Sequence, residues 1–130
     1  IKQMLSRKGI TDARVRRETE RTILNMTDAW KVRDRFFDRI PVLVYPANSS
    51  VPKIDKSKYL VPVDLTFGQF IFVVRKRLKM GPEEALFLFT ENNTIPISSS
   101  LMLNIDDKNR NRKGYLVLYY SSENTFGYSQ

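Results

Sequence analysis

Up to residue 37 the apolar positions Val15, Ile23, Met26, Trp30, Val32 and Phe36 are scattered among Arg and Glu, with a single Gly and no Pro. That spacing predicts one or two helices. Thr27 and Asp28 offer N-cap oxygens for the second helix, which should run to about Phe36. The chain then changes character. Residues 40–45 are dominated by Val, Ile and Leu and end in the breaker stretch Pro46-Ala47-Asn48-Ser49-Ser50, so a strand followed by a loop is expected, with a second strand over residues 58–63.

The strongest local signal follows. Thr66 and Gln69 have capping-box spacing, and Phe67, Phe70, Ile71, Val74 and Leu78 recur at helical intervals until Gly81 and Pro82 should stop the helix. Residues 85–89 form a short apolar run suited to a buried strand, and Asn92-Asn93 supplies turn chemistry. Residues 98–100, all Ser, should cap a short helix through Ile105; the polar segment 106–114 reads as a loop and residues 115–120 as a last strand. The order strand, strand, helix, strand, short helix, strand belongs to the α+β class and to a ubiquitin-like β-grasp domain, here preceded by a helical arm.

Composition narrows the chemistry. The 130 residues, 42% hydrophobic and 12% aromatic, suit one compact domain plus an arm. With no Cys the chain has neither a disulfide framework, nor a thiolate metal site, nor a catalytic thiol, and with no His it lacks the commonest general base and metal ligand. A non-enzyme without a metal or catalytic residues is expected. The longest clean apolar run, residues 70–74, is too short to span a membrane, so a cytoplasmic protein is expected, with any membrane attachment added later. The net charge of +8 would suit nucleic acid, anionic lipid or acidic peptides without choosing among them.

Particular runs decide more than the pattern does. Asp38-Arg39-Ile40-Pro41-Val42, Asp55-Lys56-Ser57-Lys58-Tyr59-Leu60-Val61-Pro62, Asp64-Leu65-Thr66-Phe67-Gly68-Gln69-Phe70, Val74-Arg75-Lys76-Arg77 and Glu123-Asn124-Thr125-Phe126-Gly127 stand in order. In these runs the chain resembles the autophagy ubiquitin-like modifiers, the family of autophagy-related protein eight, the GABA-receptor-associated protein and microtubule light chain three. The resemblance covers residues 28–127. It departs in three places: the arm is longer and lacks a His-Pro start, segment 106–114 is Lys- and Arg-rich where relatives are typically acidic, and Asp28 stands where Glu is common.

The resemblance implies an arm over residues 1–37, a ubiquitin-like domain and conjugation tail over 38–127, and a removable extension over 128–130. It also implies that a cysteine protease trims the chain to Gly127, that activating and conjugating enzymes carry the glycine carboxyl as a thioester, and that the amine of phosphatidylethanolamine takes it on autophagosome membranes. Covalent lipid at Gly127 is then the only group the chain carries, with no cofactor. Receptors with aromatic-x-x-aliphatic motifs would bind along the second strand. Asp28, Val32, Pro41, Leu60 and Tyr115 would line the aromatic pocket, and Tyr59, Val61, Pro62, Leu65, Phe70 and Val73 the aliphatic one. Arg39, Lys56, Lys58 and Arg77 would meet acidic residues beside the motif.

Physical chemistry agrees with both assignments. A strand edge with unpaired backbone groups accepts an extended peptide, and Gly, with no Cβ, threads a narrow enzyme channel. Two alternatives remain: a non-conjugated ubiquitin-like peptide-binding domain with an inert tail, and a basic nucleic-acid binder using Arg75-Lys76-Arg77. The second lacks a nucleic-acid motif and interleaved stacking aromatics.

Overall fold

The computed structural model describes residues 28–123, so the arm before Asp28, including Thr27, and the tail around Gly127 lie outside the described residues. Asp28 keeps an extended backbone while its carboxylate accepts the N–H of Trp30 at 3.0 Å, satisfying one of the orphan donors that open a helix. Helix α1 follows over Ala29–Arg35. Phe36 leaves helical geometry but still donates its N–H to the Val32 carbonyl at 2.8 Å, so the helix ends one residue earlier than expected.

Four strands, β1 (Arg39–Pro46), β2 (Lys58–Pro62), β3 (Phe87–Thr90) and β4 (Leu116–Ser121), form one mixed sheet in the order β2-β1-β4-β3. The central pair β1 and β4 is parallel and both outer pairs are antiparallel, the β-grasp arrangement expected. Two further helices, α2 (Phe67–Arg77) and α3 (Met102–Asn109), complete the described elements.

Alternation along the strands separates two faces. Ile40, Val42, Val44, Tyr59, Val61, Leu116, Leu118 and Tyr120 form one cluster with Phe67, Phe70 and Val74 of α2 and Met102 and Ile105 of α3. On the other face, Tyr115 and Val117 pack against Ala29 of α1, with Leu43 and Tyr119 beside them. Strand β1 is therefore covered on both sides, which is why it reads as a nearly unbroken aliphatic run. The loop after it is pinned by Tyr120, whose hydroxyl accepts the Ile54 N–H at 2.9 Å and donates to the Pro52 carbonyl.

The capping box of α2 forms as expected: Thr66 Oγ1 accepts the Gln69 N–H at 3.2 Å, and Gln69 Oε1 accepts the Thr66 N–H at 2.9 Å. Thr66→Ala should therefore lower stability by about 1 kcal/mol in urea unfolding at constant m value. A loss too small to measure would mean the cap is dispensable.

The far end of α2 corrects the sequence reading. The helix ends at Arg77 rather than running to Gly81, because Lys79 adopts φ 58 and closes the end itself. Its N–H bonds to the Lys76 carbonyl and that of Met80 to the Arg75 carbonyl, both at 3.1 Å, a Schellman closure without the usual Gly. The start of α3 is a second correction. Residues 98–100 do not cap it; instead the carbonyls of Ser98 and Ser100 accept the N–H groups of Gly68 and Phe67, at 2.9 and 2.8 Å, and so serve the orphan donors of α2. An added Cβ at Gly68 would lie 3.3 Å from the Ser98 carbonyl oxygen, which explains the Gly at this crossing. With the serines committed there, α3 begins at Met102, whose N–H bonds to the Leu65 carbonyl, and it extends through Asn109 into the segment expected to be a loop.

Candidate functional site

Strand β2 is an edge strand, bonded only to β1. The Val44 N–H bonds to the Ser57 carbonyl and the Val63 N–H to the Asp38 carbonyl, which sets the phase of the antiparallel ladder. Odd-numbered residues from 57 to 63 turn their backbone groups toward β1, and Lys58 and Leu60 turn theirs outward. Pro62 shares the outward phase, so its missing N–H costs the ladder nothing.

Three of the five residues expected for the aromatic pocket fall along one row. Leu60 is opposite Pro41 in the β2–β1 register, and Val42 is opposite Leu116, which places Tyr115 on the far side of Pro41. Helix α1 covers this row through Ala29, which packs on Tyr115. Leu60 is half-buried, Val32 is buried, and Asp28 stays exposed at the helix cap. Burial pushes the Tyr115 hydroxyl above its ordinary range, with Tyr45 and then the Asp28 carboxylate adding to the shift.

The residues expected for the aliphatic pocket divide. Tyr59, Val61 and Phe70 belong to the core and are 6%, 3% and 1% exposed, the rings of Tyr59 and Phe70 meeting edge to face at 5.5 Å. Burial pushes the Tyr59 hydroxyl up to about 12 against the opposing charge of Arg77. Leu65 packs partly buried on the core and Val73 is exposed on α2. Pro62 is a correction: by the pleat it shares Leu60's side of the strand, opposite to Tyr59 and Val61. The structure therefore gives Tyr59, Val61 and Phe70 a floor rather than an open surface.

Among the four expected charge contacts, Lys58 is half-buried on the outward edge and Lys56 sits 5.1 Å from the Tyr59 ring centroid. Arg77 pairs with exposed Asp55 at 3.1 Å. Arg39 is a correction: at 1% exposure it is enclosed, and burial lowers its pKa despite neighbouring Asp38, so it offers no surface charge. The run Arg75-Lys76-Arg77 is also divided. Arg75 Nη1 donates to the carbonyls of Gly81 and Glu84, Lys76 lies over the Phe72 ring, and Arg77 is held by Asp55, so the three do not form one cationic stripe. Among the described residues no cluster of acids could hold a metal ion, and no helix is long and apolar enough to cross a membrane.

A sequence profile of the family described as "Autophagy protein Atg8 ubiquitin like" matches residues 25–127. The chain belongs to the Atg8 family of autophagy-related ubiquitin-like proteins. Autophagy-related protein 8A of Oryza sativa subsp. indica is 53% identical over 98 residues, covering 75% of this chain and 82% of the relative. Autophagy-related protein 8a of Arabidopsis thaliana is 50% identical over 103 residues, covering 78% and 84%. Among solved Atg8 structures, that of Trypanosoma brucei ATG8 is similar with a TM-score of 0.66 at 43% identity, over 73% of this chain and 82% of that one. Plasmodium falciparum Atg8 in complex with a Plasmodium falciparum Atg3 peptide is similar with a TM-score of 0.67 at 30% identity, over 81% and 90%.

One group of residues in this Atg8 chain escaped the sequence reading: Trp30, Arg33, Asp106 and Gly114, which meet between α1, α3 and β4. Trp30 and Arg33 had the three-residue spacing of one helix flank, but nothing in the chain pointed to partners more than 70 positions away.

Proposed function

We propose that this chain is trimmed to Gly127, conjugated there to phosphatidylethanolamine on autophagosome membranes, and recruits receptors through aromatic-x-x-aliphatic peptide motifs added as a strand along β2. The observation that carries the reading is the family match through residue 127, ending on Phe126-Gly127, in a chain whose β2 edge turns the backbone groups of Lys58 and Leu60 outward. The catalytic thiols of processing and transfer belong to the protease and the activating and conjugating enzymes, as suits a substrate without Cys. Two acyl chains then anchor a protein in whose described residues no helix is long and apolar enough to cross a membrane. A Plasmodium relative solved with an Atg3 peptide supports the peptide-reading part.

On this reading the aromatic side chain enters between α1 and the Leu60–Pro41–Tyr115 row. The aliphatic one lies over Leu65 and Val73, above the floor of Tyr59, Val61 and Phe70. Main-chain bonds along the edge supply affinity and the flanking pockets supply choice. Lys58, beside this edge, attracts acids that flank the motif, with Lys56 and Arg77 adding to the field. Lys58→Glu should weaken an acid-flanked peptide by roughly three- to tenfold more than its neutral counterpart, an effect that shrinks at high salt. Calorimetry on both peptides tests this, and equal losses would remove Lys58 from charge recognition. Mass and membrane pelleting of protein recovered from cells test conjugation.

A further inference from the structure

Two side chains on one flank of α1 bond to parts of the domain distant in sequence. Residues three apart share a flank, and Trp30 and Arg33 both face the segment that joins α3 to β4. The Trp30 indole N–H donates to the Arg112 carbonyl at 3.0 Å. Its ring lies against Gly114, where an added Cβ would fall 3.0–3.1 Å from three ring atoms; with φ at +90, space and backbone conformation both keep a side chain out. Arg33 uses its whole fork. Nε donates to the Gly114 carbonyl at 2.8 Å, and Nη1 and Nη2 donate to the two Asp106 oxygens at 2.8 and 2.7 Å.

The joint is stiffened from both sides. Asp106, only 1% exposed, also takes Arg110 at 3.4 Å. The guanidinium carbons of Arg33 and Arg110 lie 5.6 and 6.0 Å from the Trp30 ring centroid, within cation–π range. Asn111 closes the turn from inside, its Oδ1 accepting the N–H groups of Lys113 and Tyr115, both at 3.0 Å. The turn that meets Trp30 therefore leads directly into Tyr115. Asp28 and Val32, four residues apart, form a different flank of α1. The roof and one wall of the aromatic pocket thus meet at this joint, beside the packing of Ala29 on Tyr115.

We propose that Trp30, Arg33, Asp106 and Gly114 form a latch that positions α1 over the aromatic pocket and sets selectivity for the aromatic residue of a bound peptide. The inference rests on the peptide-reading function proposed above. None of the four touches the peptide in this account; they are positioning residues, acting through the placement of Asp28, Val32 and Tyr115.

The test uses Trp30→Phe, which keeps a ring but loses the N–H donor, and Arg33→Lys, which keeps the charge but loses the fork. Affinity is measured for three peptides: a Trp-x-x-Leu parent, a Phe-x-x-Leu variant and a Trp-x-x-Ala variant. Both protein variants should bind the parent about fivefold more weakly. The preference for Trp over Phe should change at least about threefold, while the preference for Leu over Ala stays the same. Amide exchange at Val32 and Phe36 should rise relative to the β1 amides. Equal losses for all three peptides, or unchanged exchange in α1, would overturn the latch while leaving the peptide groove standing. A wild-type chain that binds no parent peptide would overturn the groove and the latch together. Should Arg33→Lys fail to fold, Trp30→Phe decides alone, because Trp30 is 44% exposed and the change is conservative.

Discussion

Replacing Gly127 with Ala is expected to abolish lipid conjugation while leaving peptide affinity in solution within about twofold of wild type. On the proposed function, the added methyl would crowd enzyme channels that admit a residue without a Cβ, both at cleavage and at transfer of the carboxyl. The proposed peptide edge on β2 belongs to a different part of the chain, so it has no reason to respond. A chain ending at Gly127 should be conjugated without the protease, whereas one still carrying Tyr128-Ser129-Gln130 should need it. Reconstitution with the enzymes, followed by membrane pelleting, separates the three forms. Conjugated Gly127→Ala protein would remove the glycine from the mechanism.

Leu60→Ala and Tyr59→Ala, adjacent on one strand, should fail in opposite ways. Leu60 is half-buried on the α1 side of the sheet, so its truncation should weaken an aromatic-x-x-aliphatic peptide at least about tenfold with only a small loss of stability. Tyr59 is 6% exposed in the main core and meets Phe70 edge to face, so its truncation should cost about 3–5 kcal/mol through the cavity it leaves. Any binding defect in Tyr59→Ala then reports a disturbed fold as much as a lost contact. Thermal unfolding with calorimetry on each variant distinguishes them. A Leu60→Ala protein of normal affinity would refute the aromatic pocket on this face.

That split shows what could be read from the chain and what could not. Alternation assigned Tyr59 and Val61 to one side of β2 and Leu60 to the other, because the pleat allows no alternative once the strand is placed. It could not say which side carried the main core. That depends on α2 lying over Tyr59 and Val61 while the shorter α1 covers Leu60's side. The α2 capping box was legible because both of its hydrogen bonds are local. Its end was not, since Lys79 takes a left-handed conformation that sequence rules reserve for Gly. The serines at 98–100 looked like side-chain caps for α3; instead the Ser98 and Ser100 carbonyls serve the start of α2, a tertiary contact that no local spacing announces.

Charge was the least legible property. Arg39 and Arg77 both read as surface cations, yet one is enclosed and the other pairs with Asp55. Segment 106–114 read as a polar, Lys- and Arg-rich loop, yet Asp106 lies nearly inaccessible under Arg33, and Gly114 lies against Trp30. Each outcome depends on a partner distant in sequence, which net charge and composition do not contain. The family resemblance implied a peptide edge and a conjugation tail, but not the proposed latch, whose residues lie outside the runs that carried it.

If the chain works as a trimmed, lipid-conjugated modifier, the intact mass of the protein recovered from cell membranes must show it. The account predicts a species that has lost Tyr128-Ser129-Gln130 and gained one phosphatidylethanolamine at Gly127, with the trimmed but unconjugated form in the soluble fraction. Membrane-bound protein that retains those three residues and carries no lipid would contradict it.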